Sequence, residues 1–164
     1  MKRIVLAGAA LLALAAAGSA FADSVNGASA NGTAAVTIYT PITVTQTQGL
    51  DFGTITSGAN GTVAIDPNSG ARAVAGGVGS VAANVGKQGA FAVTGQSNAA
   101  INVVVGSAIT GFNGGITGIT VPSTLPTVLN GTSATFAVGG QLTIPANTQA
   151  GAYTGSYTVA VNYP

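Results

Sequence analysis

Apolar side chains occupy alternate positions from Ala34 to Val44, with an interruption at Thr40-Pro41. Successive side chains of a β-strand point to opposite faces, so each piece presents one apolar face to a partner. Proline cannot donate a hydrogen bond to a strand ladder, and it restricts the residue before it. We therefore predict a strand over 33–39 that can be lent to a neighbouring molecule, and a first domain strand over 42–48.

Short apolar runs separated by turn residues continue to the C terminus. Asn60-Gly61 and Gly139-Gly140 have the composition of hairpin turns, and 66–70 joins a proline to a glycine in another turn. The strands predicted between such turns are 50–56, 61–66, 91–94, 100–105, 116–121, 133–138 and 141–144. The strand over 100–105 is rich enough in valine and isoleucine to be buried on both faces.

The last segment shows the clearest alternation, which runs to the end of the chain. Its odd positions carry Tyr153, Tyr157, Val159, Val161 and Tyr163, and mainly polar residues lie between them. No stretch of helix length beyond the N-terminal region carries a helical stripe. Many short strands with regular turn spacing predict an all-β sandwich.

The N-terminal residues have the composition of a secretory signal peptide. Lys2 and Arg3 precede an apolar run over 4–17, and Ala20-Phe21-Ala22 provides small residues for cleavage. The apolar run is shorter than the roughly 20 residues that span a membrane. We predict a signal peptide over 1–22, an N-terminal extension over 23–40, a domain over 41–164 and no membrane span.

Few side chains remain for chemistry once the signal peptide is removed. Two basic residues, Arg72 and Lys87, stand against Asp23, Asp51 and Asp66, and the chain has no His, Cys or Trp. Near neutrality makes nucleic acid an unsuitable partner, and no base is present to activate a serine or threonine nucleophile. We therefore expect no enzyme activity, no catalytic residues, no cofactor and no metal site.

Three motifs resemble those of known bacterial families. Gly151 and the penultimate Tyr163 frame an alternating strand that resembles the C-terminal strand of chaperone-usher pilins. The segment from Ala35 through Leu50-Asp51-Phe52-Gly53 resembles the opening of the spore-coat-U-like branch of those pilins. The chain also resembles a related family of secreted bacterial proteins that share Leu-Asp-Phe-Gly, an Ile-Asp-Pro-x-x-Gly-x-Arg motif (here within 61–72) and a closing tyrosine-rich motif. It departs from the spore-coat-U-like branch in having no cysteine for the disulfide found there.

The resemblance implies an immunoglobulin-like Greek-key β-sandwich that is incomplete and is completed by the N-terminal donor strand of a neighbouring subunit. Such a protein is a structural subunit of a surface fibre (a fimbria or pilus) with a role in adhesion or biofilm, exported through the periplasm to the cell surface. The implied partners are copies of itself, a periplasmic pilus chaperone, an outer-membrane usher and a host or surface glycan. The implied donor-strand plugs are Ala34, Val36 and Ile38, and the implied groove and chaperone-pairing strand carries Gly151, Tyr153, Tyr157, Val159, Val161 and Tyr163.

An alternative of a different class is a self-contained secreted binding module, with carbohydrate as its candidate ligand. In that case Val36 and Ile38 begin the first strand of a complete sandwich.

Overall fold

The computed structural model describes residues 27–122 and 125–164, so the predicted signal peptide over 1–22 lies outside the described residues. The chain divides into two units, Met1–Val36 and Thr37–Pro164. The second unit holds the strands, and the described residues contain no helix, which confirms the all-β prediction. The strands are β1 (Thr43–Gln48), β2 (Ile55–Ile65), β3 (Arg72–Ser80), β4 (Gly89–Thr94), β5 (Asn102–Val105), β6 (Ala108–Ile109), β7 (Thr117–Pro122), β8 (Ser133–Ile144) and β9 (Val159–Asn162).

Two antiparallel sheets make up this unit. The larger has the order β1-β4-β8-β2-β3, with β7 beside β8 and β6 beside β7, and the smaller consists of β5 and β9. β8 is the central strand, because its first half pairs with β4 and its second half with both β2 and β7. Its long ladder fixes the positions of strands that are distant in the sequence.

Side chains from both sheets pack together in the first of two cores, so the sheets form a sandwich. Phe91, Val93 and Phe136 of the larger sheet contact Val103 of the smaller, with Leu129 also fully buried among them. The second core lies against the other end of the larger sheet. It contains Val63, Val78, Ile109, Ile116, Leu142 and Ile144.

The predicted hairpin at Gly139-Gly140 is wrong, because both residues lie inside the continuous strand β8. A Cβ at Gly139 would overlap the carbonyl oxygen of Ile65 and the ring of Pro67. Gly139 is therefore needed where two backbones approach closely, and not for the positive φ of a turn.

The predicted turn at Asn60-Gly61 is also wrong, since both residues lie within β2. The ladder between β2 and β3 is irregular between Ser57 and Gly61, so this dipeptide lies at a bulge in place of a reversal. The strand predicted over 50–56 begins only at Ile55. The turn over 66–70 is confirmed, with Gly70 at a φ of 69°.

The predicted burial of β5 needs correction. Val104 of β5 is 51% exposed, so this strand is buried on one face and not on both. The stretch over 27–42 forms no strand ladder among the described residues, so a strand over 33–39 that is lent to a neighbouring molecule stays a prediction.

Candidate functional site

Among the strands with a ladder partner on one edge only, β1 and β9 lie next to each other in the described residues. β1 pairs with β4 alone, and β9 pairs with β5 alone. β1 and β9 belong to different sheets and approach each other without forming a ladder. Unpaired N–H and C=O groups along such edges are a template for another strand.

A groove whose deep part is mainly apolar begins beside β1 and the start of β9. We define the groove by one wall formed by β1 and residues 50–55, and an opposite wall formed by residues 151–159. Its shallow part, of about 290 Å³, is lined by Val44, Phe91 and Val159 among others. Its deep part has a volume of about 600 Å³, and both parts share Gly155 and Tyr157, so they are continuous.

The floor of the deep part is the second core of the domain. Val63, Leu142 and Ile144 are at most 5% exposed overall, yet they line the space. Phe52, Phe112 and other half-buried side chains form its sides. The deep part is therefore a cavity that lies against the second core, whose residues are themselves buried.

Arg72 fixes the wall formed by residues 50–55. Its Nη1 donates to the carbonyl oxygens of Phe52, Thr54 and Asn84 at 3.3, 3.0 and 2.8 Å. Its Nη2 donates to the Val81 carbonyl oxygen at 3.1 Å and to the Ser80 hydroxyl. Five neutral acceptors therefore surround this guanidinium, and they tie the 50–55 and 81–84 segments together.

Asp51 supports the same wall from its other side. Its Oδ1 accepts from the Gly53 N–H at 2.7 Å, and its Oδ2 accepts from Asn84 Nδ2 at 3.3 Å. Gly53 has a φ of 75°, which a residue with a side chain rarely adopts. The Leu-Asp-Phe-Gly motif is therefore a structural support of the groove.

Tyr163 fixes the point at which the extension joins the domain. Its hydroxyl accepts from the Gln96 N–H at 2.7 Å and donates to the Thr40 carbonyl oxygen at 2.6 Å. Gln96 Oε1 accepts from both the N–H and the hydroxyl of Thr40 at 3.2 Å. The ring of Tyr39 packs edge-on against that of Tyr163, with centroids 5.1 Å apart. We call Thr40, Gln96 and Tyr163 the clamp.

The apolar side chains of the extension are exposed. Ala34 is exposed, Val36 exposes 83% of its surface and Ile38 exposes 85%. Exposed aliphatic side chains at alternate positions provide the surface that a strand partner would bury.

A family model described as Domain of unknown function (DUF4402) matches residues 42–163. The chain belongs to this family. The matched residues begin directly after Thr40-Pro41 and end at Tyr163, so the DUF4402 domain contains the whole groove. No curated protein and no solved structure gives a significant match to the chain.

The DUF4402 domain brings most of the predicted site residues of its C-terminal segment to the groove. Gly151 and Tyr153 line the deep part, Tyr157 lines both parts and Val159 lines the shallow part. Val161 packs on the first core and Tyr163 belongs to the clamp, so these two lie outside the lining. The odd positions from 157 to 163 are half-buried and the even ones exposed, as the alternation predicts.

Tyr157 lines both parts of the groove and packs against both cores. Its ring lies edge-on to Phe91 at 6.1 Å, and its hydroxyl is buried without a hydrogen-bond partner in the described part of the chain. Burial raises the pKa of this hydroxyl above its usual value. Tyr157 therefore acts in the groove as an apolar surface.

Several lining residues were not predicted. Leu142 and Ile144 alternate in a predicted strand, so pattern alone could have placed them on one face. Phe112 lies in a glycine-rich stretch without alternation, and no sequence signal marks it. Arg72 was noted within a motif, but its carbonyl acceptors lie on other segments and only the fold brings them together.

Carboxylates are few and lie apart in the part of the DUF4402 domain that the structure describes. Residues 27–122 and 125–164 contain no group of three His, Cys, Asp or Glu side chains that could hold a metal ion. Asp66 caps the turn after β2, where hydrogen bonds from Ser69 and Asn68 hold the pKa of its carboxyl below the usual range. No helix within the described ranges is long and apolar enough to cross a membrane.

Proposed function

We propose that this protein is a structural subunit of a bacterial surface fibre and that it polymerises by donor-strand exchange. The extension of one subunit enters the groove of the next and pairs with the open edges of β1 and β9. The result is a homopolymer whose links are β-strands added to incomplete sandwiches.

The observation that carries this proposal is the groove over the second core, beside the edges of β1 and β9 that have no ladder partner among the described residues. The wall formed by residues 151–159 would be about 30 Å long if extended at roughly 3.3 Å per residue. The segment over 33–39 would be about 23 Å long when extended, so it would span most of this wall. Its alternate residues Val36 and Ile38 would point toward the floor, and Thr37 would point away.

The energy available is large enough for a stable link. Full burial of a valine or isoleucine side chain is worth about 1.5–3 kcal/mol. Val36 and Ile38 are more than four-fifths exposed, so together they would contribute about 3–6 kcal/mol. Main-chain hydrogen bonds to both strand edges add to this value.

The resemblance to chaperone-usher pilins supplies the other partners of the proposal. A periplasmic chaperone would cover the groove before assembly, and an outer-membrane usher would join the subunits. The exported fibre would then act in adhesion or biofilm, with a surface glycan as a candidate receptor.

The test is the double substitution Val36→Asp with Ile38→Asp, compared with Thr37→Asp. The double variant should fold as a monomer with wild-type thermal stability, because both side chains are exposed. In gel electrophoresis it should show none of the polymers that resist detergent and dissociate on heating. Thr37→Asp places one charge on the opposite face and should retain these polymers. Wild-type polymers from the double variant would refute donor-strand exchange.

One observation favours a second candidate, the self-contained binding module. The deep part of the groove has the volume and apolar lining of a small-molecule site. Deleting residues 23–36 separates the two, because it removes Ala34 and Val36 but keeps the clamp. A binding module should retain its ligand after this deletion, whereas a fibre subunit should lose the ability to fill its neighbour.

A further inference from the structure

The chain contains three copies of the tripeptide Asn-Gly-Thr, which begin at Asn31, Asn60 and Asn130. An asparagine before glycine can lose its side-chain amide, because glycine has no side chain to keep its backbone nitrogen from the asparagine Cγ. The three copies have the same local sequence, so structure decides how their rates differ.

The structure protects Asn60. This residue lies in β2, and its Oδ1 accepts a hydrogen bond from the Ala146 N–H at 2.6 Å. The following Gly61 pairs with β3 on one side and β8 on the other. The ring-closing movement would break these contacts.

The structure also protects Asn130. The attacking nitrogen would be that of Gly131, and its N–H donates to Asn98 Oδ1 at 3.1 Å. Asn130 itself forms a bridge with Ser133 at the start of β8, with Gly131 at a φ of 65° in the turn between them. Attack requires the turn to open first.

Asn31 has neither kind of protection. Asn31 and Gly32 are exposed, lie outside any strand and make no hydrogen bond within the described residues. A Cβ placed on Gly32 would meet no atom within 4 Å. The backbone here has room to bring the Gly32 nitrogen onto Cγ.

We propose that Asn31 is a site of spontaneous deamidation in the extension. The Gly32 nitrogen bonds to Asn31 Cγ, the Cγ–Nδ2 bond breaks, and ammonia leaves with the hydrogen of the Gly32 N–H. Water then opens the succinimide at either carbonyl and gives aspartate or isoaspartate. One water is consumed and one ammonia is released, with no oxidation or reduction.

A consequence for assembly rests on the proposed function, whereas the chemistry at Asn31 does not. The product carries a negative charge three residues before Ala34, and isoaspartate lengthens the main chain by one methylene. The longer main chain at residue 31 shifts the strand register of the residues that precede it. Asn31 and Gly32 lie directly before the donor strand over 33–39, so pairing of that strand in a fibre would restrain their backbone and slow the change, which unassembled subunits would accumulate.

The test follows the three tripeptides in the full secreted chain during incubation in mildly alkaline buffer, using proteolytic peptide mapping by mass spectrometry. Asn31 should convert several-fold to about tenfold faster than Asn60 and Asn130, because opening a protected site costs on the order of one hydrogen bond. The rate should rise with pH, and Gly32→Ala should slow it. In denaturant the three rates should converge.

Equal rates at Asn31 and Asn130 in the folded chain would overturn the proposal. The same mapping on purified polymers tests the consequence, since Asn31 should be slowed there. Conversion in polymers at the monomer rate would refute the protection. If no polymers form, the proposed function fails, and the comparison of the three sites still decides the chemistry at Asn31.

Discussion

Replacement of Arg72 by methionine should destabilise the domain by removing the hydrogen bonds that hold the 50–55 wall. Five acceptors surround the guanidinium at up to 3.3 Å, and the carbonyl oxygens would be left without these donors. Hydrogen bonds to a charged group contribute about 1.5–3 kcal/mol each, but several here share the same two nitrogens and the side chain is partly exposed. We therefore expect a total loss of about 3 kcal/mol, a large part of the 5–15 kcal/mol of a typical domain.

Urea denaturation of the monomer, followed by circular dichroism, measures this loss. Lys87→Met is the matched control, because it removes a cation from an exposed position and should change stability by less than about 0.5 kcal/mol. Both variants should keep the wild-type dependence on urea. A loss below about 1 kcal/mol for Arg72→Met would show that the carbonyl acceptors around Arg72 do not hold the wall.

Three other changes test separate features. Tyr163→Phe keeps the ring but removes the two clamp hydrogen bonds that its hydroxyl makes, so chemical denaturation should show a loss of about 1–2 kcal/mol, and an unchanged midpoint would contradict this role. Gly139→Ala should lower the free energy of unfolding by about 1–3 kcal/mol or prevent folding, because the new Cβ would overlap the backbone of β2. In thermal melts the control Gly49→Ala should be nearly neutral, because its Cβ meets no atom within 4 Å. The pKa of Asp66 is lowered in the folded state, so its contribution to the free energy of unfolding is present above its unfolded pKa and is lost as pH falls through the folded pKa. Asp66→Ala should therefore reduce the fall of stability at acid pH. An unchanged fall would refute the capping role.

The sequence predicts burial better than strand bounds, because alternation is a local property. In the last segment the tyrosines and valines at odd positions are half-buried, as predicted, but only Val159–Asn162 forms a strand. The turn at Asp66 was also predictable, since proline, asparagine and glycine act within a few residues.

The wrong predictions concern residues whose conformation or burial is set by contacts with residues distant in the sequence. Gly139 and Asn60 have turn composition, but the first allows the β2 backbone to approach and the second accepts a hydrogen bond from Ala146. Val104 has the composition of a buried residue, yet its face of β5 is not covered. No local signal reports these tertiary partners.

The site was predictable only on one wall. Alternation placed Tyr153, Tyr157 and Val159 together, and the structure lines the groove with them. The opposite wall depends on Arg72, whose acceptors lie up to 20 residues away in the chain. Its function as a support becomes visible only in three dimensions.

The clamp has a mechanical consequence. A load applied to the extension reaches the domain at Thr40 and continues along β1, whose ladder to β4 would be sheared along its whole length when the pull follows the strand. Tyr163 transfers part of that load to the end of β9 in the other sheet. A domain with no disulfide thus has one hydroxyl that links both sheets at the point where force enters, and Tyr163→Phe should lower the rupture force in single-molecule pulling.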